Sequence, residues 1–191
     1  IPYDFGAYYG TAERFDLEIE GVATPLQNLR LLLGAGARLD RIESKHALGR
    51  DGYVSDKSAR VFTNAEWYLT NKLILNGGVM LEHNEQIGSY YSPRLAINFI
   101  ASDEHAFRAS VTRSIRTPSV LENNVNVGVR TDDGDQIYTF QISATHLKPE
   151  RQYSAEVGYM FNALNNNLRF TSNIFIDFLS DGFVDAADFD L

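Results

Sequence analysis

Eight stretches of this 191-residue chain alternate apolar and polar residues, and the gaps between them alternate short and long. The alternation predicts strands near 13–23, 28–43, 59–69, 72–86, 93–102, 106–115, 151–163 and 167–179. The gaps run 24–27, 44–58, 70–71, 87–92, 103–105, 116–150 and 164–166. The first, third, fifth and seventh are tight, and the others are longer. Successive side chains of a strand point to opposite faces, so a period of two makes one greasy side and one polar side. An up-and-down sheet with this gap pattern gathers its tight turns at one edge and its long loops at the other. That is the layout of a transmembrane barrel with short periplasmic turns and long extracellular loops.

The faces can be read residue by residue. In 151–163, Tyr153, Ala155, Val157, Tyr159 and Phe161 alternate with Gln152, Ser154, Glu156 and Asn162. In 93–102, Leu95, Ile97 and Phe99 oppose Arg94 and Asn98. In 59–69, Val61, Ala65 and Trp67 oppose Arg60, Asn64 and Glu66. The last strand switches parity, with Leu168, Phe170, Ile174, Ile176 and Phe178 against Arg169, Thr171, Asn173 and Asp177.

Alternation alone does not say which face looks outward. A soluble lipocalin-like barrel turns its apolar side inward to hold an apolar ligand. A membrane barrel turns the same side to lipid, and three features favour that choice. The strands run about 10–16 residues, beyond the usual ~5–6 of globular sheets and enough for a tilted bilayer crossing of ~9–11. Aromatics cluster towards the two ends of the apolar face: Trp67, Phe99, Phe107, Phe161 and Phe170 near the tight turns, and Phe15, Tyr153 and Phe178 towards the other edge. Such girdles mark the two interfaces of a bilayer. The polar face carries both charge signs, including Asp16, Glu18, Arg38, Asp40, Arg94 and Glu156, which pair across strands. Arg41 and His83 fall on the apolar face near the long-loop ends, within reach of headgroups. Arg113 falls short of that edge, and an Arg at mid-bilayer costs about 2–4 kcal/mol. A bulge or a lower strand start would relieve it.

The expected fold class is therefore all-β: an antiparallel up-and-down transmembrane β-barrel, here a partial barrel of about eight strands. No apolar run reaches the ~18 residues of a membrane helix. The chain has no secretory signal and no initiating Met, so residues 1–191 read as a piece of a single barrel domain within a larger polypeptide. With no Cys, disulfides and thiolate metal sites are excluded. A net charge of -8 argues against nucleic acid, which needs clustered Lys and Arg.

Several segments resemble a known family. Ser92-Pro93-Arg94-Leu95 opens a strand, and Ser114-Ile115-Arg116-Thr117-Pro118-Ser119 closes the next, followed by Glu122-Asn123-Asn124. Leu147-Lys148-Pro149-Glu150 then precedes the strand holding Glu156-Val157-Gly158-Tyr159, and Asn173-Ile174-Phe175-Ile176-Asp177-Phe178 lies in the last. Over 92–180 this order is similar to the C-terminal half of the barrel in TonB-dependent outer-membrane receptors. The resemblance implies the bacterial outer membrane and active uptake of a scarce, large nutrient such as a ferric siderophore, haem or cobalamin. It also implies a barrel of roughly 22 strands filled by a plug domain, and energy from TonB through a segment before the plug. Neither plug nor TonB segment is recognisable here. The acidic tail from Asp181 to Leu191 also departs from the terminal Phe strand of that family. Pro118 and Pro149 have a physical reading of their own: each removes an N–H and holds its predecessor extended, so each marks a ladder's end.

The long gap 116–150 holds Arg116, Glu122, Arg130 and Tyr138, and long loops are often functional. With Tyr90 and Tyr91, placed in the 87–92 gap, these are the candidate ligand contacts. An interfacial girdle explains the tyrosines better than ligand stacking does. Asp132-Asp133-Gly134-Asp135 departs from the EF-hand spacing and reads as a polar turn. His46, His83, His105 and His146 show no metal-ligand spacing, so no metal or cofactor is expected. Ser44, His46 and Asp51 share one loop without a catalytic motif. A small outer-membrane enzyme is thus a weaker alternative than a receptor.

Overall fold

The computed structural model describes residues 9–130, 136–143, 147–164 and 167–181. Its strands are β1 (Thr11–Leu26), β2 (Leu29–Glu43), β3 (Val54–Tyr68), β4 (Leu73–Asn84), β5 (Gly88–Ile100), β6 (His105–Arg116), β7 (Asn126–Arg130), β8 (Gln136–Ile142), β9 (Glu150–Ala163) and β10 (Leu168–Ser180). Two short helices, α1 (Lys45–Leu48) and α2 (Val120–Asn124), lie in the longer connections. Eight strands form one antiparallel sheet in the order β1-β2-β3-β4-β5-β6-β9-β10, and β7 pairs with β8 apart from it. Among the described residues the outer edges of β1 and β10 are unpaired.

The register keeps the two faces clean across the sheet. Leu95 pairs with Val111, Val111 with Ala155, and Ala155 with Ile176. One residue over, Arg94 pairs with Thr112, Thr112 with Ser154, and Ser154 with Asp177. Directly opposed residues share a face, so the apolar face is odd-numbered through β9 and even-numbered in β10. Among the described residues no layer covers it: Val157 is 60% exposed and Leu95 49%. Near the tight turns Phe99, Phe107 and Tyr159 form one aromatic rung, and His105, Phe161 and Phe170 another.

The polar face is tied by ion pairs near β1. Arg14 meets Asp40 at 2.6 Å and Arg38 meets Asp16 at 2.6 Å. Arg60 reaches past β2 to Asp16 at 3.0 Å and Glu18 at 2.7 Å. It passes over Gly36, where an added Cβ would lie 3.1 Å from the guanidinium. Gly34 similarly lies under Phe62, whose ring leaves no room for such a Cβ. Both glycines are sites of close approach inside a strand.

Small polar side chains hold the tight turns, as expected where they replace backbone hydrogen bonds. Thr70 Oγ1 accepts from the N–H groups of Lys72 and Leu73, and Ser102 Oγ from those of Glu104 and His105. Asn28 Nδ2 donates to the Tyr68 carbonyl, fastening the first turn to the end of β3.

Two of the long gaps are shorter than the alternation suggested. The gap expected at 87–92 is a three-residue turn, because β4 ends at Asn84 and β5 already starts at Gly88. Asn84 Oδ1 accepts from Gln86 and Ile87, and Gly88 turns at φ 84°, a conformation that favours glycine. The gap expected at 44–58 loses its last residues to β3, which begins at Val54. Val54–Ser58 carries mostly polar side chains, so it has no period to read; pairing with the end of β2 extends it.

Candidate functional site at the loop edge

The longer connections meet over the polar face beyond β2 and β3. Leu48 of α1, Val54 of β3 and Val120 of α2 are buried against one another, with Ile42 of β2 packed beside them. Such a cluster away from the strands' middles fixes loops that would otherwise be independent. α1 is capped by Ser44, whose Oγ accepts from the Ala47 N–H, and Gly49 ends it at φ 66°. Ser44 is thereby used as a cap, and Lys45 lies 3.5 Å from Asp51. Below the cluster, the buried Asn84 donates to Asp56 at 2.6 Å, joining β3 to β4.

The chain leaves β6 through a second set of linked groups. The β6–β9 ladder ends at the pair Arg116 and Glu150. Pro118 then blocks further pairing and is itself buried. Ser119 caps α2 in a capping box: its Oγ accepts from Glu122 N–H at 3.2 Å, and Glu122 Oε2 accepts from Ser119 N–H at 2.7 Å. The other Glu122 oxygen, Oε1, accepts from Arg116 Nη2, and Arg116 Nη1 lies 3.3 Å from Glu150. Burial works to raise the Glu122 pKa, but the Ser119 N–H and the Arg116 guanidinium hold it below the ordinary glutamate value.

The structure brings only some candidate residues together. Arg116 and Glu122 meet directly and clamp the start of the loop to β9. Arg130 closes β7, and its side chain lies outside the described part of the molecule; Tyr138 is an exposed residue of β8, in the same hairpin. Tyr90 and Tyr91 are not in a loop. They are neighbours in β5 and therefore point to opposite faces. Tyr90 takes the polar face, its buried hydroxyl beside Glu82 and Thr117 without meeting hydrogen-bond geometry to either. Tyr91 takes the apolar face, under Arg113. Residues 131–135 and His146 lie outside the described residues, so the Asp132-Asp133-Gly134-Asp135 turn has no described geometry. Among the described residues no three His, Cys, Asp or Glu side chains converge.

Sequence reasoning missed Glu150 and Ser119 as partners of Arg116 and Glu122. The signal was present: Ser119 and Glu122 stand at capping-box spacing. It also missed β7, a five-residue strand too short for a periodic pattern.

Residues 4–188 match the profile of the "TonB dependent receptor-like, beta-barrel" family. The chain belongs to the TonB-dependent receptors. A TonB-dependent receptor lies in the bacterial outer membrane, so here the apolar face meets lipid and the polar face lines the interior. The long-loop edge is the extracellular one. A curated relative, an iron-regulated outer membrane virulence protein of Vibrio cholerae, is 23% identical over 143 residues, covering 74% of this chain and 21% of its own length. The siderophore receptor PirA from Pseudomonas aeruginosa superposes with a TM-score of 0.74 at 17% identity, over 88% of this chain and 32% of that one. The ferric enterobactin receptor PfeA from the same organism gives 0.71 at 16% identity, over 89% and 27%. At these identities the likeness to solved structures speaks for the fold alone. The chain spans at most about a third of the length of these relatives.

Proposed function

We propose that this chain forms part of the wall of a receptor that carries a ferric siderophore across the outer membrane. On this reading the 191 residues belong to one barrel domain of a receptor that also has a plug and a TonB-contacting segment. The observation that carries the reading is the family match over residues 4–188, on a sheet whose polar face is continuous from β1 to β10. The iron-regulated relative and the siderophore receptors of like fold support iron as the cargo. The inner face carries both charge signs and, among the described residues, offers an anionic chelate a cation free of acids. Arg94 points inward with no carboxylate within 4 Å among the described residues, and Tyr90 stands above it on the same strand.

Ligand contact falls to Tyr90 on the inner face and to Arg130 and Tyr138 in the β7–β8 hairpin. Arg116 and Glu122 act by holding the hairpin's root to β9. Tyr91 stands on the lipid side. The role is binding and carriage, with no reaction catalysed.

The test uses the full-length receptor in cells starved of iron. Deleting its gene should abolish growth on at least one ferric siderophore supplied as sole iron source. Uptake of radiolabelled iron from that siderophore should stop when the proton-motive force is collapsed, while surface binding persists. Unchanged growth on every hydroxamate and catecholate chelate, with loss on haem or cobalamin instead, would reject the siderophore reading.

A further inference from the structure

Among the described residues the apolar face carries four arginine or lysine side chains on its strands, and three are answered by acids. Arg41 lies 3.6 Å from Glu13, Lys57 3.9 Å from Glu85, and Arg151 3.7 Å from Asp181. Arg113 has no carboxylate within 4 Å among the described residues. One of its five N–H donors goes to the Tyr91 carbonyl at 2.7 Å. Its guanidinium stands 4.2 Å from the centroid of the Tyr91 ring and 5.9 Å from that of Tyr153. No bulge relieves it, since β6 pairs in unbroken register with β9 from His105 to Arg116. Arg113 is three residues below the end of its strand, roughly 10 Å along it at ~3.3 Å per residue. That depth suits the headgroup-to-acyl boundary of the outer leaflet better than open water.

Beneath Arg113 the same face is hollow. A groove of about 510 Å³ crosses the strands here, from Leu75 of β4 over Leu95, Val111 and Ala155 to Ile174 and Ile176 of β10. Its two rungs are the pairs directly below the Arg113–Tyr153 rung: Leu95, Val111 and Ala155, then Ile97, Ala109 and Val157. Ala109 and Ala155 make the floor low, while the longer side chains make the walls. A cation with no carboxylate within 4 Å among the described residues, framed by two aromatic rings, thus heads an apolar groove, in a chain whose net charge is -8.

We propose that Arg113 anchors the headgroup of a bound phosphate-bearing lipid of the outer leaflet, with one acyl chain lying in the groove below it. The phosphate supplies the counter-charge that Arg113 lacks among the described residues, through charge-assisted hydrogen bonds to the guanidinium. Tyr91 and Tyr153 hold the guanidinium by cation–π contact in a water-poor setting. The cost of an arginine at this depth is then met by the lipid.

The experiment uses the full-length receptor, delipidated in mild detergent and studied by native mass spectrometry. The probes are bisphosphorylated lipid A and the same lipid with its phosphates removed. The wild-type protein should retain the phosphorylated probe, and R113Q should retain roughly tenfold less. R113K, which keeps the charge, should recover part of the binding and controls for folding. A155L should lose the probe by filling the groove while leaving the cation in place. R41Q, whose arginine already has Glu13, should match wild type. Equal retention by R113Q and wild type, equal retention of the dephosphorylated probe, or equal loss in R41Q would each overturn the proposal.

Discussion

The eight-stranded sheet and its loop edge are held together in different ways. In the sheet, adjacent strands are joined by backbone ladders, and most side chains face either lipid or the barrel interior. Its apolar face is open to the surroundings, as Ile174 shows at 77% exposure. At the loop edge the reverse holds. Leu48, Val54 and Val120 are buried, and caps and ion pairs replace ladders. A sheet residue therefore matters through the face it occupies, and a loop-edge residue through its size and its partners.

Substitutions can break or sharpen that contrast. The largest effect is expected in the sheet. Val157→Arg puts a charge on the lipid side and should destabilise the full-length protein by about 2–4 kcal/mol. Glu156→Gln, its neighbour on the inner face, should be nearly neutral. Denaturant titration of the protein folded in lipid bilayers reads both, and equal losses would erase the distinction between the faces.

Next comes the loop-edge cluster. Leu48→Ala should cost about 2 kcal/mol, at the low end for a buried leucine because the cluster is small. The loss should be local. Amide exchange should quicken in α1 and α2 while β4 and β5 keep their protection. A uniform loss across the sheet would show that the cluster and the ladders are one cooperative unit.

Ser119→Ala removes the cap of α2 and should cost about 1 kcal/mol, read as faster exchange at Glu122 and Asn123. The same segment should respond to acid. The pKa of Glu122 is lower in the folded loop than in a free chain, so its contribution is complete above the free-chain value, about 4.3, and is lost as pH falls through the folded value. Limited proteolysis between Thr117 and Asn124 should be steady from pH 7 to about 5 and should rise below about 4. Glu122→Gln should be cut at one rate throughout.

The smallest effect is expected for an exposed ion pair in the sheet. Arg14→Ala breaks the contact with Asp40, yet should shift stability by no more than about 1 kcal/mol. A larger loss would mean that the network around Arg60 and Asp16 acts as a unit.

The middle of the sheet was legible because its signal is local. Val157 and Glu156, or Leu95 and Arg94, reveal their faces by adjacency alone, and the change of parity in β10 was visible as Leu168 against Arg169. The rim was not. Tyr90 and Tyr91 looked like loop residues because Gly88 and Ser89 beside them carry no apolar period, and only pairing with Glu82 and Leu81 makes them strand. The candidate pair Arg116 and Glu122 was named from its loop, but its partner Glu150 lies beyond the long connection.

By itself the sequence determined the number of sheet strands, their two faces and the edge on which the loops gather. Those follow from side chains alternating across a pleat, a rule that needs no knowledge of what lies opposite. Tertiary structure alone decided where the rim strands stop, that Arg116 is spent on Glu122 and Glu150, and that Arg113 meets no acid among the described residues. Those facts depend on which residues face one another across neighbouring strands and loops, and register is fixed only when the whole sheet assembles.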